Sequence, residues 1–548
     1  MKKLLIILFC ISGISVSAQK AVKMELKDNY LNFPVSNNEE DDTRLELVVD
    51  GKIVRGFDIM LADTETEFWV FLDISPFKDK SAILRTYSGE ARKGLEKVYQ
   101  SNDRSYLDNV YEEKHRPQLH FSTMRGWIND PNGLIYYDGE YHLFYQHNPY
   151  GWDWGNMHWG HAVSRDLVHW EQLSIALYPD ENGVCFSGCA VIDENNTSGF
   201  GKDAMVAIYT SVAEHQTQSI AYSLDQGRTW SKYAGNPVIG ERIEEAGSPE
   251  VRDPNVFWHE QTKKWVMILF ENMGHSIFTS DNLKEWQFES HFDAYHECPE
   301  LFELPVDGDT NNTKWVTYGA KGYYSIGSFD GKVFTPEFGQ FSYIAGEFYA
   351  AQTFYNIPEE DGRRLQIGWA TIETPEMPFN MMMGFPTELT LRTTANGIRL
   401  FNEPVSEIEK LHISDQKFNN LTWQQANEKL SALDAELLHL KMTLDPIAAG
   451  YFDLRLDDDL LNYEWYQNKF NYGEQEFIYN RELDRKAITL EIIVDRTSLE
   501  VFVDEGAFTL VLPRNLETDM KGISLELNPE SKMTVKNLEI YEMNSIWE

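Results

Sequence analysis

Three acidic residues, each in a short motif beside a strand-like run, are the side chains best placed to do chemistry. Asp130 lies in WINDPNG, Asp253 in RDP ahead of NVFW, and Glu297 in ECP ahead of ELFEL. Each Asp-Pro pair could be no more than a turn, since Asp before Pro is common there. Two carboxyl groups that flank one bond, however, are sufficient for glycoside hydrolysis, in which one attacks or polarises and the other protonates the leaving oxygen. The motifs therefore indicate glycoside chemistry, provided that the fold brings them together.

The three acids would also affect each other's charge. A third ionised carboxylate can hold sugar hydroxyls and stabilise the positive charge that develops during glycoside cleavage. Neighbouring carboxylates raise one another's pKa, which would help Glu297 to remain protonated as the acid.

The segment after Asp130 predicts a β-hairpin. LIYY and EYHLFYQ are separated by Asp138-Gly139, and Asp-Gly is a preferred two-residue turn between antiparallel strands. Asp130 is therefore predicted to lie just before the first strand of a sheet.

A recurring motif organises residues 115–400 into repeated units. SRDLVHW begins at Ser164, SLDQGRTW at Ser223 and SDNLKEW at Ser280, with a fainter SFDG at Ser328. Chance hairpins are the alternative, but a period of about 40 to 60 residues with several strands per unit is typical of propeller blades. With one final strand pair, the pattern predicts five blades. Inner strands line one channel, so Asp130, Asp253 and Glu297 are expected at one mouth.

Both flanks of this region also have a β pattern. Residues 20–110 predict a small N-terminal β accessory domain, which we interpret as a structural brace rather than a binding module because it lacks a convergent polar set. Residues 405–548 alternate in the manner of a C-terminal β-sandwich. The predicted fold class is therefore all-β: a five-bladed β-propeller, a C-terminal β-sandwich and a small N-terminal β domain.

Charge and targeting signals narrow the possible partners. The 548-residue chain has a formal net charge of −39, which disfavours nucleic acid and favours a neutral or cationic substrate. Residues 1–18 read as a secretory signal peptide, with a charged start, a short apolar run and a small-residue cleavage site. Phe9 before Cys10 argues against lipid anchoring there. No later run is long enough to span a membrane, so we expect a periplasmic, cell-surface or extracellular protein.

The remaining cysteines predict neither a disulfide framework nor a metal site. Cys185 and Cys189 could pair, but they flank FSG in a strand-like run, so buried thiols are favoured over a disulfide. No Cys/His cluster has the spacing of a zinc site. We expect no metal and no cofactor, and the oligomeric state stays open.

The motif set resembles glycoside hydrolase family 32, which contains invertases, inulinases and levanases. The resemblance rests on WINDPNG, RDP and ECP in this order, RPQLHF ahead, FSG between and VDRTSLEVFVDEG near the end. It implies a five-bladed propeller and a retaining reaction on β-fructofuranosides. It also implies Asp130 as nucleophile, Glu297 as general acid/base and Asp253 as transition-state stabiliser. Retention requires Asp130 and Glu297 about 5 to 5.5 Å apart.

The resemblance further implies a pocket for the terminal fructose. The matching positions are Asn129, Gln146, Trp154, Phe186, Ser187 and Arg252, with Trp369 as a weaker candidate. Arg252 stands beside Asp253 and is expected to keep that aspartate ionised.

Three features depart from the family pattern. Ile128 replaces the usual Met, an apolar swap that should be harmless. The acid often found shortly before Phe-Tyr-Ala is not at its usual offset, and Glu347 is the candidate substitute. The N-terminal β domain is absent from simple invertases and resembles extensions of levanase-like members from Bacteroides-type bacteria.

These features favour an exo-acting levanase, with several alternatives left open. An inulinase, an invertase and a fructosyltransferase would use the same scaffold, and linkage preference depends on loops that the sequence does not define. A propeller acting on arabinosides by inversion would need carboxyl groups about 6.5 to 9.5 Å apart. The non-enzyme alternative is a glycan-binding propeller, which would be expected to lack one of the three acids.

Overall fold

The structure, a computed structural model, describes residues 20–39, 42–86, 93–104, 109–446, 450–479, 481, 487–516, 523–527 and 533–547. The signal peptide predicted for 1–18, with Cys10, lies outside these residues. The chain divides into two compact units, Met1–Leu107 and Asp108–Glu548. Among the residues described, no helix combines the length and apolar character needed to cross a bilayer.

The first unit contains two antiparallel sheets. Its elements are β1 (Lys20–Glu25), β2 (Tyr30–Val35), β3 (Thr43–Val49), β4 (Lys52–Ile59), β5 (Phe68–Asp73), a 3-10 turn (Ser75–Phe77), β6 (Ser81–Thr86), α1 (Gly94–Lys97) and β7 (Tyr99–Ser101). The sheet orders are β1-β6-β3-β4 and β5-β2-β7. Asp50-Gly51 forms the turn between β3 and β4, and both residues have positive φ, as a tight hairpin turn requires.

Three antiparallel sheets follow in the second unit. The first contains β8 (Gly126–Tyr137), β9 (Glu140–Asn148), β10 (His158–Ser164) and β11 (Trp170–Gln172). The second contains β12 (Val184–Asp193), β13 (Ala204–Val212), β14 (Gln216–Ser223) and β15 (Ser231–Lys232). After α2 (Ile243–Ala246), the third contains β16 (Val251–His259), β17 (Lys264–Glu271), β18 (Gly274–Ser280) and β19 (Gln287–Asp293). Asp138-Gly139 joins β8 to β9, as predicted.

The next two groups of strands share one larger sheet. The first group is β20 (Glu300–Val306), β21 (Asp309–Tyr318), β22 (Tyr323–Phe329) and β23 (Phe334–Ser342). After β24 (Ile344–Gly346), the second group contains β25 (Phe348–Thr353), β26 (Arg364–Ala370), β28 (Met382–Met383), β29 (Thr387–Thr394) and β30 (Gly397–Pro404). A parallel bridge between β20 and β29 connects the groups. Between β26 and β28 in sequence, β27 (Phe379–Asn380) pairs in parallel with β8 of the first sheet.

The leading strands of these groups form a closed ring. β8 contacts both β12 and β25, and β12 contacts β16. Glu300 in β20 completes the circle, because it accepts from Asn255 of β16 at 2.7 Å and from Thr353 of β25 at 2.7 Å. Sheets arranged around a ring of inner strands form a propeller, in which loops distant in sequence meet at one mouth.

The repeated motif forms the same turn in three sheets. The Oγ atoms of Ser164, Ser223 and Ser280 accept from the backbone N–H two residues later, at 3.1, 3.3 and 3.1 Å. The indole of the closing Trp donates to a carbonyl three residues before it in every copy. Trp230 of the second sheet also packs edge-on against Phe144 of the first, with ring centroids 5.5 Å apart. The motif therefore ends a turn and, at Trp230, fills the space between sheets.

The C-terminal part of the second unit is a β-sandwich. Its elements are a 3-10 turn (Ser406–Leu411), β31 (Gln416–Thr422), α3 (Trp423–Leu430), β32 (Leu438–Pro446), β33 (Tyr451–Leu456), β34 (Asp459–Glu464), β35 (Lys469–Tyr472), β36 (Gln475–Ile478), β37 (Ile488–Val494), β38 (Ser498–Val503), β39 (Phe508–Pro513), β40 (Ile523–Leu527) and β41 (Met533–Glu542). The sheets run β24-β39-β38-β37-β32-β41-β31 and β36-β35-β34-β33-β40. Alternate apolar residues from both sheets form one buried core between them. Because β24 precedes β25 of the propeller, the sandwich is continuous with it.

A buried ionic cluster also joins the two parts. The Nδ1 of His120 lies 2.8 Å from Asp495 Oδ2, and its Nε2 lies 3.3 Å from Glu500 Oε1. Asp495 accepts backbone N–H groups of Gln118 and Leu119 at 2.8 and 2.9 Å. Although burial opposes charge on His120, the two carboxylates raise its pKa to about 9. A charged imidazolium thus holds the segment that leads into the propeller against the sandwich.

Candidate active site

Irregular strand pairing shapes the mouth of the propeller. The register shifts between Ile128 and Pro131, Cys185 and Gly188, Arg252 and Asn255, and Tyr349 and Gln352. A β-bulge inserts unpaired residues and re-aims their side chains. Asp130, Ser187 and Asp253 all lie in such bulges. The prediction that Asp130 lies just before its strand was wrong, because Asp130 lies within β8. Glu297 does precede β20.

Backbone strain is concentrated at two of the three acids. Asp253, Glu297 and Cys298 have φ values of 61°, 52° and 44°. Non-glycine residues rarely adopt this left-handed conformation, which costs free energy and persists where surrounding contacts enforce it. One such contact is the hydrogen bond from the Asp253 N–H to Thr210 Oγ1 at 3.0 Å. The fold therefore holds these carboxyl groups in conformations that a relaxed strand would not give.

Asp130 is fixed by two donors. Ser187 Oγ donates to Asp130 Oδ2 at 2.6 Å, and Asn129 Nδ2 donates to Oδ1 at 3.1 Å. Trp127 in turn donates its indole N–H to Asn129 Oδ1 at 2.8 Å, which orients that amide. Burial raises the pKa of Asp130, and the two hydrogen bonds counter part of this effect. The result is a poorly solvated, oriented carboxyl group, as a nucleophile requires.

Cys298 lies between the two aspartates. Its Sγ is 3.6 Å from Asp130 Oδ2 and 3.7 Å from Asp253 Oδ2, and its backbone N–H donates to Asp253 Oδ2 at 3.1 Å. Burial and the nearby carboxylates raise the pKa of the thiol well above its ordinary value, so it remains an S–H donor. Burial, followed by the charges of Asp130 and Glu297, raises the pKa of Asp253 to about 7.

Glu297 has the opposite environment. Burial opposes its ionisation, but hydrogen bonds from Tyr349 and Arg252 outweigh burial and lower its pKa. Arg252 donates to Glu297 Oε1 through Nε at 3.0 Å and Nη2 at 2.6 Å, while Tyr349 donates to Oε2. The expectation that neighbouring carboxylates keep Glu297 protonated was therefore wrong for the unliganded protein. The positive charge of Arg252 lowers the pKa of Asp253, as expected, but burial and the charges of Asp130 and Glu297 outweigh it.

The predicted fructose-pocket residues fall into three groups. Asn129, Ser187 and Arg252 contact the acids directly. Trp154 and Phe186 pair edge to face with centroids 5.9 Å apart, and Trp154 is 57% exposed. Trp369 packs against Trp127 and Tyr349 at 5.8 and 6.3 Å.

Gln146 and Glu347 have hydrogen-bond partners other than the three acids. Gln146 is buried in β9, and the amide orientation that satisfies Asn132 lets Asn132 accept from Gln146 Nε2 at 3.0 Å. Glu347 accepts from Thr371 Oγ1 at 2.9 Å and from Gln475 of the sandwich at 3.2 Å. Glu347 is thus engaged at the join between propeller and sandwich.

Two residues at the site were not selected from the sequence, and a third was noticed without a role. Tyr349 donates to Glu297, and His296 Nδ1 lies 3.2 Å from Glu297 Oε2. Tyr349 was used only as part of the Phe-Tyr-Ala run that locates Glu347, and no role was assigned to it. His296 stands directly before the acid, which was the available clue. Cys298 was noted as buried, and its contact with both aspartates emerges only from the fold.

A propeller whose inner strands bring three carboxyl groups together, with donors that set their charges, is equipped to cleave glycosidic bonds. Comparison with known proteins narrows this class to a family. The family model for the glycosyl hydrolases family 32 N-terminal domain matches residues 120–404, and the family 32 C-terminal model matches 407–542.

Individual relatives agree with the family models. A levanase of Bacillus subtilis is 40% identical over 500 residues, covering 80% of this chain and 72% of its own. The extracellular exo-inulinase inuE of Aspergillus niger is 35% identical, and the match covers 74% of this chain and 91% of the inulinase. The crystal structure of exo-inulinase from Aspergillus awamori has a TM-score of 0.70 at 32% identity, and the match covers 80% of this chain and 100% of that one.

The chain therefore belongs to glycoside hydrolase family 32 and is a β-fructofuranosidase. The resemblance inferred from the motifs is confirmed, as is the combination of propeller and β-sandwich. The arabinosidase and non-catalytic alternatives are not supported by these relatives.

Proposed function

We propose that the protein is a retaining, exo-acting fructan hydrolase with levan as its main substrate. The observation that carries the proposal is the single cluster formed by Asp130, Asp253 and Glu297, with Cys298 between the two aspartates and Arg252 on Glu297. We count the sheet of β20–β23 and β25–β30 as two blades, which makes five. The first unit is proposed to be an accessory brace.

In the first step, a carboxylate oxygen of Asp130 attacks the anomeric carbon of the terminal fructose. The glycosidic bond breaks, its electron pair goes to the leaving oxygen, and Glu297 gives that oxygen a proton. A fructosyl ester on Asp130 results. In the second step, Glu297 takes a proton from water, the resulting hydroxide oxygen attacks the same carbon, and fructose leaves with Asp130 restored as a carboxylate.

These two steps require that the three carboxyl groups share one proton and that this proton is on Glu297 when the glycosidic bond breaks. In the free protein, Asp253 is the carboxyl group with a pKa of about 7, whereas that of Glu297 is lowered. We propose that sugar hydroxyls donating to Asp253 stabilise its ionised form. The shared proton then favours Glu297, in the manner of coupled titrating groups. Ionised Asp253 is also ready to stabilise the positive charge on the sugar.

The binding residues are proposed to surround the terminal fructose. Asn129, Ser187 and Arg252 would position the catalytic carboxyl groups, and Gln146 would pack beneath them. The aromatic residues Trp154, Phe186 and Trp369 would contact the sugar ring. Levan is favoured because a levanase is 40% identical. Inulin and sucrose are the alternatives, because exo-inulinases and an invertase are also similar. Fructosyl transfer would use the same intermediate with a sugar acceptor.

Secretion is part of the proposal. It rests on the sequence of residues 1–18 and on a similar protein described as extracellular. The mature protein would then meet polymeric fructan outside the inner membrane.

A product profile tests substrate and mode of action. Mature protein is incubated separately with levan, inulin and sucrose, and products are followed over time by chromatography. Free fructose alone from levan supports exo-action, whereas early oligosaccharides would replace it with an endo-acting mode. Faster turnover of inulin or sucrose would replace levan as the main substrate, and new oligosaccharides at high sucrose would indicate fructosyl transfer.

Trapping with methanol tests retention. A retaining enzyme passes its fructosyl group to methanol as the methyl β-fructofuranoside, because two inversions restore the starting configuration. The α-anomer would exclude the mechanism. Asp130→Asn should abolish turnover, with Asp166→Asn, on an outer turn of the first sheet, as the matched control.

A further inference from the structure

We propose that a groove between the third sheet (β16–β19) and the strands β20–β23 binds a fructose unit of the polymer away from the catalytic pocket. The proposal rests on the proposed function, because it assumes that the substrate includes a polymeric fructan.

The groove is open to solvent on one side. Its volume is about 310 Å³, which lies at the lower end of the range for small-molecule sites. Its walls include Phe292, Asp293 and Tyr295 from the end of β19 and the loop after it. Phe338 and Gln340 from β23 form the opposite wall.

The strand registers place this groove at the mouth end of the propeller. Asp293 pairs with Gly274, Gly274 pairs with Glu271, and Glu271 pairs with Val251. Val251 immediately precedes the Arg252 of the active site. On the other side, Tyr323 begins β22 at the end where β21 and β20 pair through Tyr318 and Glu300.

The wall of the groove is also connected to the acid/base candidate. Tyr295 precedes Glu297 by two residues, so their Cα atoms lie at most about 7 Å apart. The backbone carbonyl of Tyr295 accepts from His275 at 3.0 Å, and its hydroxyl is 2.7 Å from Ser325 Oγ. Tyr295 is therefore held rigidly between the groove and the active site, and a polymer whose end enters the pocket passes close to it.

The exposed side chains have the chemistry that a neutral sugar requires. Phe338, in the wall of the groove, is 37% exposed. Tyr323 lies beside the groove, is 50% exposed and stacks on the wall residue Tyr295 with ring centroids 6.3 Å apart. Aromatic faces pack against the C–H faces of a sugar ring, and polar groups beside them bind its hydroxyls. Asp293 and Gln340 supply such groups. The acidic surface, with a net charge of −39 for the chain, repels anionic ligands.

A single exposed aromatic residue would need no functional explanation. Here four features coincide: the rings of Tyr323 and Phe338, the groove beside them, the polar side chains of Asp293 and Gln340, and continuity with the active site. The occupant that matches all four is an internal unit of the fructan chain whose terminal unit lies in the catalytic pocket.

The test compares polymer with small substrate. Phe338→Ala and the double variant Tyr323→Ala/Phe338→Ala are assayed on levan and on sucrose. The matched control is Tyr466→Ala, which removes an 83% exposed aromatic residue from the sandwich. Phe338→Ala should raise KM for levan about three- to tenfold, the loss of one aromatic contact, without changing kcat/KM for sucrose. Asp293→Ala provides a second variant with an intact aromatic wall and should act in the same direction.

A binding measurement separates this proposal from the proposed function. The Glu297→Gln protein is run in native gels containing levan, with saturating free fructose to occupy the catalytic pocket. Retardation should persist with fructose and be clearly reduced when Phe338→Ala is added. Equal effects on levan and sucrose, or unchanged KM and retardation, would overturn the groove. If the wild type hydrolyses no fructan, the proposed function fails, while the gel still tests the groove.

Discussion

The buried imidazolium of His120 predicts a specific loss of stability at alkaline pH. The His120 side chain is fully buried between Asp495 and Glu500. Its pKa is about 9 in the folded protein against 6.5 as the ordinary value. The folded state therefore binds a proton more tightly than the unfolded state does. The stability gained is fully present below pH 6.5 and is lost as pH rises through 9.

The size of this effect follows from the pKa difference. Each unit of pKa shift is worth about 1.4 kcal/mol, so His120 contributes about 3 kcal/mol at pH 6. His120→Gln removes this contribution and leaves two buried carboxylates with a neutral partner, which adds a cost that does not depend on His120 titration. The free-energy difference between wild type and His120→Gln should therefore shrink by about 3 kcal/mol between pH 6.5 and 9.5.

Urea unfolding followed by tryptophan fluorescence measures this difference. Of the 15 Trp residues, only Trp69 lies in the first unit, so the signal reports mainly on the propeller and sandwich. His275→Asn is the matched control. Its imidazole is also fully buried, but burial lowers its pKa to about 3, so it is neutral in the folded protein over this window. Protonation of the unfolded state at pH 6.5 changes its contribution by only about 0.4 kcal/mol, in the opposite direction. A difference for His120→Gln that stays constant with pH would refute the charged cluster.

Three further predictions concern the acids. Ser187→Ala removes a hydrogen bond of 2.6 Å to Asp130. It should lower kcat/KM about 10- to 100-fold, which is the value of a hydrogen bond to a charged group. The control, Ser198→Ala, loses a similar hydrogen bond to Asp193 and should leave turnover unchanged. Tyr349→Phe removes a hydrogen bond that lowers the pKa of Glu297, so the alkaline limb of kcat/KM should move to higher pH; a shift to lower pH would contradict this. In the wild type, kcat/KM should decline above pH 7, where the cluster loses the proton of Asp253; a flat profile to pH 9 would exclude the shared proton.

Much of the architecture could be predicted because local chemistry repeats. The Ser and Trp of each copy form their turn with neighbours two or three residues away, so the motif is visible in the sequence. Asp138-Gly139 likewise defines a hairpin by itself. From repeated hairpins, a propeller and the meeting of Asp130, Asp253 and Glu297 follow by topology.

The proton distribution could not be predicted, because it depends on which way adjacent side chains point. The charge of Arg252 acts on its neighbour Asp253, but the catalytic acid to which its guanidinium donates hydrogen bonds lies elsewhere. That acid is Glu297, which is 45 residues away. Contacts over longer separations, such as His120 with Asp495 at 375 residues, leave no local pattern.

The same geometry explains why the acids lie at irregular backbone positions. On a regular inner strand, alternate side chains would point to opposite faces of the sheet. Regular strands would not direct the carboxyl groups of Asp130 and Asp253 at the sulfur atom of Cys298. The bulge in β8 and the positive φ of Asp253 and Cys298 turn these groups toward a common point. Such strain persists where surrounding contacts enforce it, and here the Asn255–Glu300–Thr353 hydrogen bonds fix the inner strands on both sides. Glu300→Ala removes these hydrogen bonds and should therefore reduce kcat, although the bonds do not involve any of the three acids. A variant with native circular dichroism and wild-type kcat would contradict this coupling.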